Sequence, residues 1–338
     1  MAQRLFSDTS CEDSREPNQT LDEDPPNKGE LNPPVGVVGG AIYGLLAAAL
    51  YTAANIALRE SVGVDALLVS AVKSVPIVVL LGPVIGWMSW RGKTIITSTE
   101  MIPRFVLSSL TAQFVGNVAF QLALGIVGLA SSVTITLGAM IIGGAIFGRL
   151  FLKEPISFRV ALSMITLIAA VVVLNLSFGE TPEETQNSGD FPLWVGGLFA
   201  VASGLAYSMF GAVTRQALIN GLTPQATMFI SGLMGLLTLW LATFCWIDLS
   251  EIAAINATQW WIMLAAGMFN FLAFITLTCS LKALPVIAVN LLNATQIAMA
   301  AAAGVFFFSE QITQPLIWGI ALTFAGLAIL ATKRKQDS

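Results

Sequence analysis

Two phrases decide the fold: "FLKEPISFR" at residues 151–159 and "FFSEQITQP" at residues 307–315. Phe151 and Phe307, Glu154 and Glu310, Ile156 and Ile312, and the hydroxyl residues Ser157 and Thr313 are each 156 positions apart. The first copy carries Lys153 and Arg159, whereas the second carries no base. In a membrane chain, bases collect in cytoplasmic loops. A phrase repeated without its bases therefore points to two copies that end on opposite faces of a bilayer.

Composition places the chain in that setting. Its mean hydropathy is +0.79, and 56% of the 338 residues are hydrophobic against 11% charged, where soluble domains hold roughly 25% charged residues. Ten apolar stretches reach the ~20 residues needed to cross a hydrocarbon core about 30 Å thick. They fall at about 36–58, 64–90, 103–124, 128–151, 157–178, 192–216, 223–246, 259–281, 284–307 and 314–332. The connections are short except for "GETPEETQNSGD" at 179–190, whose Gly, Pro and acids form a solvated linker that splits the chain into five spans plus five.

With the N-terminus inside, the basic residues sort as the positive-inside rule requires. Arg4, Arg15 and Lys28 lie in the leader; Arg91, Lys93, Arg104, Arg149, Lys153, Arg159, Arg215 and Lys282 lie at even loops; Lys333, Arg334 and Lys335 close the chain. Of 16 bases, only Arg59, at an outer end, and Lys73, inside a span, fall elsewhere. Because each half holds an odd number of spans, Glu154 is expected near the cytoplasm and Glu310 outside. The same offset relates Gly40 to Gly196, Tyr51 to Tyr207 and Arg59 to Arg215. The expected fold is an all-α integral membrane protein of ten transmembrane helices in two inverted five-helix repeats, an architecture suited to exposing one site alternately to two sides.

The expected organisation is an acidic, disordered cytoplasmic tail at 1–34, a first repeat at 35–178, an external acidic linker at 179–191, a second repeat at 192–332 and a basic tail at 333–338. The net charge of −4 reflects mainly the leader, with eight acids from Asp8 to Glu30, and the linker, so it does not point to nucleic acid. The three cysteines, Cys11, Cys245 and Cys279, are too scattered for a disulfide framework. The absence of histidine excludes Ser-His and Cys-His nucleophiles and the usual His-bearing zinc centres. Neither a cofactor nor a metal is expected. "GWMSWRGKT" at 86–94 spaces its glycines wrongly for a phosphate-binding loop and ends a membrane helix. Asn256-Ala-Thr258 matches a glycosylation pattern that is common by chance.

"KEPIS" (153–157), "SEQIT" (309–313), "LLVSAVKSVPIVVLL" (67–81) and "SLKALPVIAVNLLNATQIAMAAAAGVFFFSE" (280–310) together resemble the drug/metabolite transporter superfamily in its EamA type, over about residues 36–332. The resemblance implies a multi-pass plasma (inner) membrane protein, with both termini cytoplasmic, that exports or exchanges a small metabolite through a central cavity lined by helices 1–4 and 6–9. The sequence departs from the family at Lys73, where many members carry arginine. The alternatives are an intramembrane enzyme, for which no nucleophile–base pair or metal motif is present among the spans, and a membrane-anchored sensor or scaffold. The protein would act as a monomer or homodimer with lipid around it.

Candidate substrate-binding residues follow from the cost of polar groups in lipid. Lys73 within the second span would draw an anionic or zwitterionic ligand. Gln113, Asn117 and Gln121 recur every four residues in the third span, and Asn290, Asn293 and Gln296 every three in the ninth; each set makes one helical face. Tyr51, Asn55 and Tyr207 complete the group. Amides also serve as glue between helices, and that reading stands beside the first. Glu154 and Glu310 are expected to favour helix N-termini with Ser157 and Thr313 as caps. The small-residue stripes Gly36/Gly40/Gly44/Ala48 and Gly196/Ala200/Gly204/Ser208 are expected to be packing surfaces. No acid lies deep in a span, so coupling is expected through substrate gradient, exchange or membrane potential.

Overall fold

Long apolar runs in lipid have one way to satisfy their backbone, which is to close it within helices. The computed structural model describes residues 36–92, 96, 99–153, 156–177, 192–308 and 314–331. Glu154, Glu310, Thr313, the leader, the linker and the basic tail lie outside the described residues. Among the described residues, regular structure is helical: α1 (Val37–Arg59), α2 (Ala66–Trp90), α3 (Ile102–Thr111), a π-helical segment (Ala112–Val118), α4 (Ala119–Leu152), α5 (Phe158–Ser177), α6 (Leu193–Ile219), α7 (Pro224–Trp246), α8 (Leu249–Ala253), α9 (Ala257–Ala283), α10 (Val286–Asn293), α11 (Thr295–Phe308) and α12 (Gln314–Ala331). Seven stretches among the described residues are long and apolar enough to cross a membrane. The other three expected spans coincide with the shorter apolar stretches Phe158–Ala170, Val286–Ala300 and Ile317–Gly326.

Local sequence sets several helix ends. The Asp65 carboxylate accepts from the backbone N–H of Leu67 and Leu68 at 2.8 and 3.3 Å, which starts α2. Asn256 and Gln259 form a reciprocal capping box at the start of α9, giving the Asn-Ala-Thr triplet a local structural role. Ser157 accepts from Val160 N–H at 3.3 Å, as expected of a cap for α5.

α6 serves as a ruler for the third and fourth expected spans. A Cβ at Gly196 would meet Val127 and Ile126, and Ser203 Oγ donates to the carbonyl of Gly116, so this run descends against α6. Thr136 donates to the Ala200 carbonyl, and Ser208 donates to that of Met140, so the next run ascends with α6. The chain therefore doubles back between Val127 and Ser132, although helical hydrogen bonding is assigned throughout Ala119–Leu152.

The small-residue stripes do pack. At Gly40 a Cβ would sit 2.7 Å from Ala283 Cβ, and at Gly196 one would sit 2.7 Å from Val127 Cγ1, distances only glycine tolerates. Gly36 meets nothing within 4 Å, so the first stripe begins one turn later than its spacing suggests. α1 lies on α9, α6 on α4, α2 on α7 and α5 on α12. α5 and α12 thus pair mainly with each other, and both also touch α10, with α5 against α4 and α12 against α11.

Candidate functional site

A cavity of about 160 Å³ opens between α1, α2, the π-helical segment, α4, α6, α7, α9, α10 and α11. Of the residues singled out by sequence, Tyr51, Asn55, Lys73, Gln113, Asn117, Tyr207, Asn290, Asn293 and Gln296 line it. Gln121 does not. It is buried, its amide nitrogen has no hydrogen-bond partner among the described residues, and Phe120 takes the cavity position on that turn. The four-residue stripe assumed 3.6 residues per turn throughout. The π-helical segment from Ala112 to Val118 adds a residue to its turns and rotates the turns after it.

Lys73 begins seven residues inside α2, about 10 Å along the helix axis, and is 7% exposed. Its ammonium does not reach back to Asp65, whose carboxylate caps the helix. Lys73 Nζ instead donates to Asn117 Oδ1 at 2.7 Å. Tyr207 OH donates to the same oxygen at 2.6 Å. Asn117 Nδ2 passes the chain on to Gln113 Oε1 at 2.6 Å, and Gln113 Nε2 donates to the Ser231 carbonyl at 3.0 Å. The relay crosses from α2 to the π-helical segment and ends on α7. Gly116 makes it possible, because a Cβ there would lie 2.7 Å from the Tyr207 ring.

The second polar group sits on α10 and α11. The single span expected at 284–307 is interrupted at Ala294, and the Thr295 hydroxyl donates to the Leu292 carbonyl at 2.7 Å. A hydroxyl bonding back in this way stabilises a bend. Three amides surround the break in three different states. Asn290 is glue, donating to the Met140 carbonyl at 2.9 Å and to Ser208 Oγ at 3.1 Å. Gln296 accepts loosely from Asn55 at 3.5 Å. Asn293, 1% exposed, has an Oδ1 with no partner among the described residues.

Sequence reasoning missed Asn270 on α9, Thr136 on α4 and Ser231 on α7, which also line the cavity. A lone amide in a span was the available signal for Asn270; the hydroxyl residues gave none, because they commonly bond their own helix. It also missed an aromatic and apolar wall formed by Phe120, Phe210, Phe271 and Phe274. Phenylalanine recurs through the later spans without a period of its own, so no pattern marked these four. No carboxylate is among the residues lining the cavity. At one end, Phe210 contacts Phe105 and Phe274, each pair with centroids 5.7 Å apart. Beyond them Arg104 donates to Gln216 at 3.4 Å, and Ile96 forms an isolated antiparallel bridge with Leu222.

A multi-pass bundle of apolar helices around a central cavity lined by a lysine and several amides is compatible with a membrane transporter. Residues 194–332 match the EamA-like transporter family, which bears out the resemblance seen in the quoted motifs to the EamA type of the drug/metabolite transporter superfamily. A solved structure titled only "Crystal structure of protein" is similar at a TM-score of 0.66 and 17% identity, covering 87% of this chain and 96% of that one. That likeness is one of fold, over most of the chain. No curated protein matches the sequence.

Proposed function

We propose that this protein moves a small anionic or zwitterionic metabolite across a plasma (inner) membrane, with both termini cytoplasmic. Ten spans in two inverted repeats, 35–178 and 192–332, would rock about the central cavity. The observation that carries the cargo reading is Lys73. It is a buried base in a cavity without a lining carboxylate, and a charge placed there costs at least a few kcal/mol unless ligand, water or dipoles compensate it.

Repetition of contacts supports two related halves. Gly40 approaches Ala283 as Gly196 approaches Val127, and Gly44 approaches Leu292 while Ala200 receives the Thr136 hydroxyl bond. Each pair maps onto its counterpart by the same offset of 156. The pairings α2 with α7 and α5 with α12 each join an element to its own counterpart, as a two-fold relation requires. The family of the second half speaks for transport and against catalysis.

Since no acid is among the described residues that line the cavity, transport runs on substrate gradient, exchange or membrane potential and needs no protonatable carboxylate there. Proteoliposome counterflow with labelled small carboxylates, phosphates, amino acids and organic cations tests this. Preloading with an anionic or zwitterionic compound should accelerate uptake of its label, and collapse of an imposed proton gradient should leave the rate unchanged. Flux confined to organic cations, or strictly dependent on the proton gradient, overturns the reading.

A further inference from the structure

Lys73 Nζ and Tyr207 OH converge on one oxygen, Asn117 Oδ1, at 2.7 and 2.6 Å. Two donors from different helices aimed at one point define where an acceptor belongs. A carboxamide oxygen is a weak partner for an ammonium, since hydrogen bonds between two ionised groups are shorter and stronger. Asn117 is half-buried and lies on the cavity wall, so a ligand oxygen can reach the point it occupies. We propose that Asn117 Oδ1 is an internal surrogate for the anionic oxygen of the cargo, and that cargo binding displaces it from Lys73 and Tyr207.

The displacement has a mechanical consequence. Asn117 is also the link through which Lys73 and Tyr207 reach Gln113, and Gln113 holds the Ser231 carbonyl of α7. The π-helical segment is thus attached to α2, α6 and α7 through side chains that meet at Asn117, with one further attachment from Ser203 to the Gly116 carbonyl. A π-helical stretch is poorly hydrogen-bonded compared with an α-helix and tends to occur at functional sites. When an anion takes both donors, the carboxamide turns away, and the segment keeps only Ser203 and Gln113 as outside anchors. Binding is therefore registered as loosening of residues 112–118, at the seam between the segments before and after the linker. Asn117 is in this scheme a positioning and specificity residue that competes with the cargo for the same donors.

The scheme rests on the transport reading for its cargo class, but its test measures binding and exchange without flux, so the two fail separately. Benzoate and inorganic phosphate serve as probes on the detergent-solubilised full chain, in equilibrium binding and in amide hydrogen exchange. Asn117→Ala removes the competitor and should tighten binding of whichever probe binds by several-fold, toward the roughly tenfold set by one lost hydrogen bond to a charged group. Asn117→Asp, nearly the same shape, supplies a fixed counter-charge and should weaken binding by at least about tenfold. In the wild type, the bound probe should speed exchange in residues 112–118 while helices elsewhere keep their protection. Weaker binding in Asn117→Ala would make Asn117 a direct ligand and overturn the proposal. So would unchanged binding in Asn117→Asp, unchanged exchange in 112–118, or failure of the wild type to bind either anion. Should Asn117→Ala fail to fold, the isosteric Asp variant and the wild-type exchange measurement decide the matter.

Discussion

The wall that α4 presents to the cavity and the wall that α10 and α11 present are counterparts 156 residues apart, yet they are chemically unlike. Leu137 and Met140 stand where the later wall has Asn293 and Gln296, and Asn290 has for its counterpart Thr134, which is not among the lining residues. Lys73 likewise has Phe229 for a counterpart, and Gln113 and Asn117 have Phe269 and Ala273. The packing contacts behave in the opposite way, since Gly40 on Ala283 repeats as Gly196 on Val127 at the same 2.7 Å. Close helix contact needs only small residues at fixed spacing, which duplication preserves. Under the proposed function, recognition of an asymmetric solute needs unlike groups on its different sides, which accounts for the unlike cavity positions. Among the described residues that line the cavity, Tyr51 and Tyr207 form the one matched pair of polar side chains.

Removing the group with no counterpart should cost most. Lys73→Met should reduce uptake of an anionic cargo at low concentration by roughly ten- to a hundredfold, the worth of a hydrogen bond to a charged group, with the folded protein retained. Unchanged initial rates would mean the asymmetry at this position is structural. The duplicated contacts should respond in parallel. Gly40→Val and Gly196→Val each add a side chain where no space exists, so thermal unfolding in detergent should show destabilisation of about 1–3 kcal/mol in both. A large effect in one and none in the other breaks the comparison. Asn293→Leu gives α10 the residue that α4 has at the matching place. It removes a buried acceptor with no partner among the described residues, so stability should hold or rise by up to about 1 kcal/mol, while counterflow slows. Loss of stability would show that Asn293 is bonded in the native bundle.

The segments were legible because their signal is energetic at short range. Twenty apolar residues in sequence have nowhere to go but lipid, and α1, α2, α6, α7 and α9 begin and end within a few residues of the expected bounds. The sequence predicts one helix for the ninth span, because Asn293, Ala294 and Thr295 are not helix breakers; the structure interrupts it at Ala294, next to the bond from the Thr295 hydroxyl to the Leu292 carbonyl. Gln121 was placed on the cavity because its spacing from Asn117 is helical, and the π-helical segment changes that spacing without any Gly or Pro to announce it. Asn290 was assigned with its neighbours, and its contacts with Met140 and Ser208 show the packing role that the spacing alone could not separate from a binding one.

By itself the sequence determined that this chain is a bundle of apolar helices in a membrane, with residues that recur at an offset of 156 and a few polar groups too costly to face lipid. Hydropathy and periodicity are sums over neighbours along the chain, and one sequence is enough to compute them. Only the tertiary structure decided which polar groups share a cavity, that Lys73 and Tyr207 meet on Asn117, and that four phenylalanines line the same cavity. Those pairings join residues 134 apart, from Lys73 to Tyr207, and 241 apart, from Asn55 to Gln296. Their geometry depends on the rotation of each helix against its neighbours, set by side-chain interlocking that no local pattern encodes.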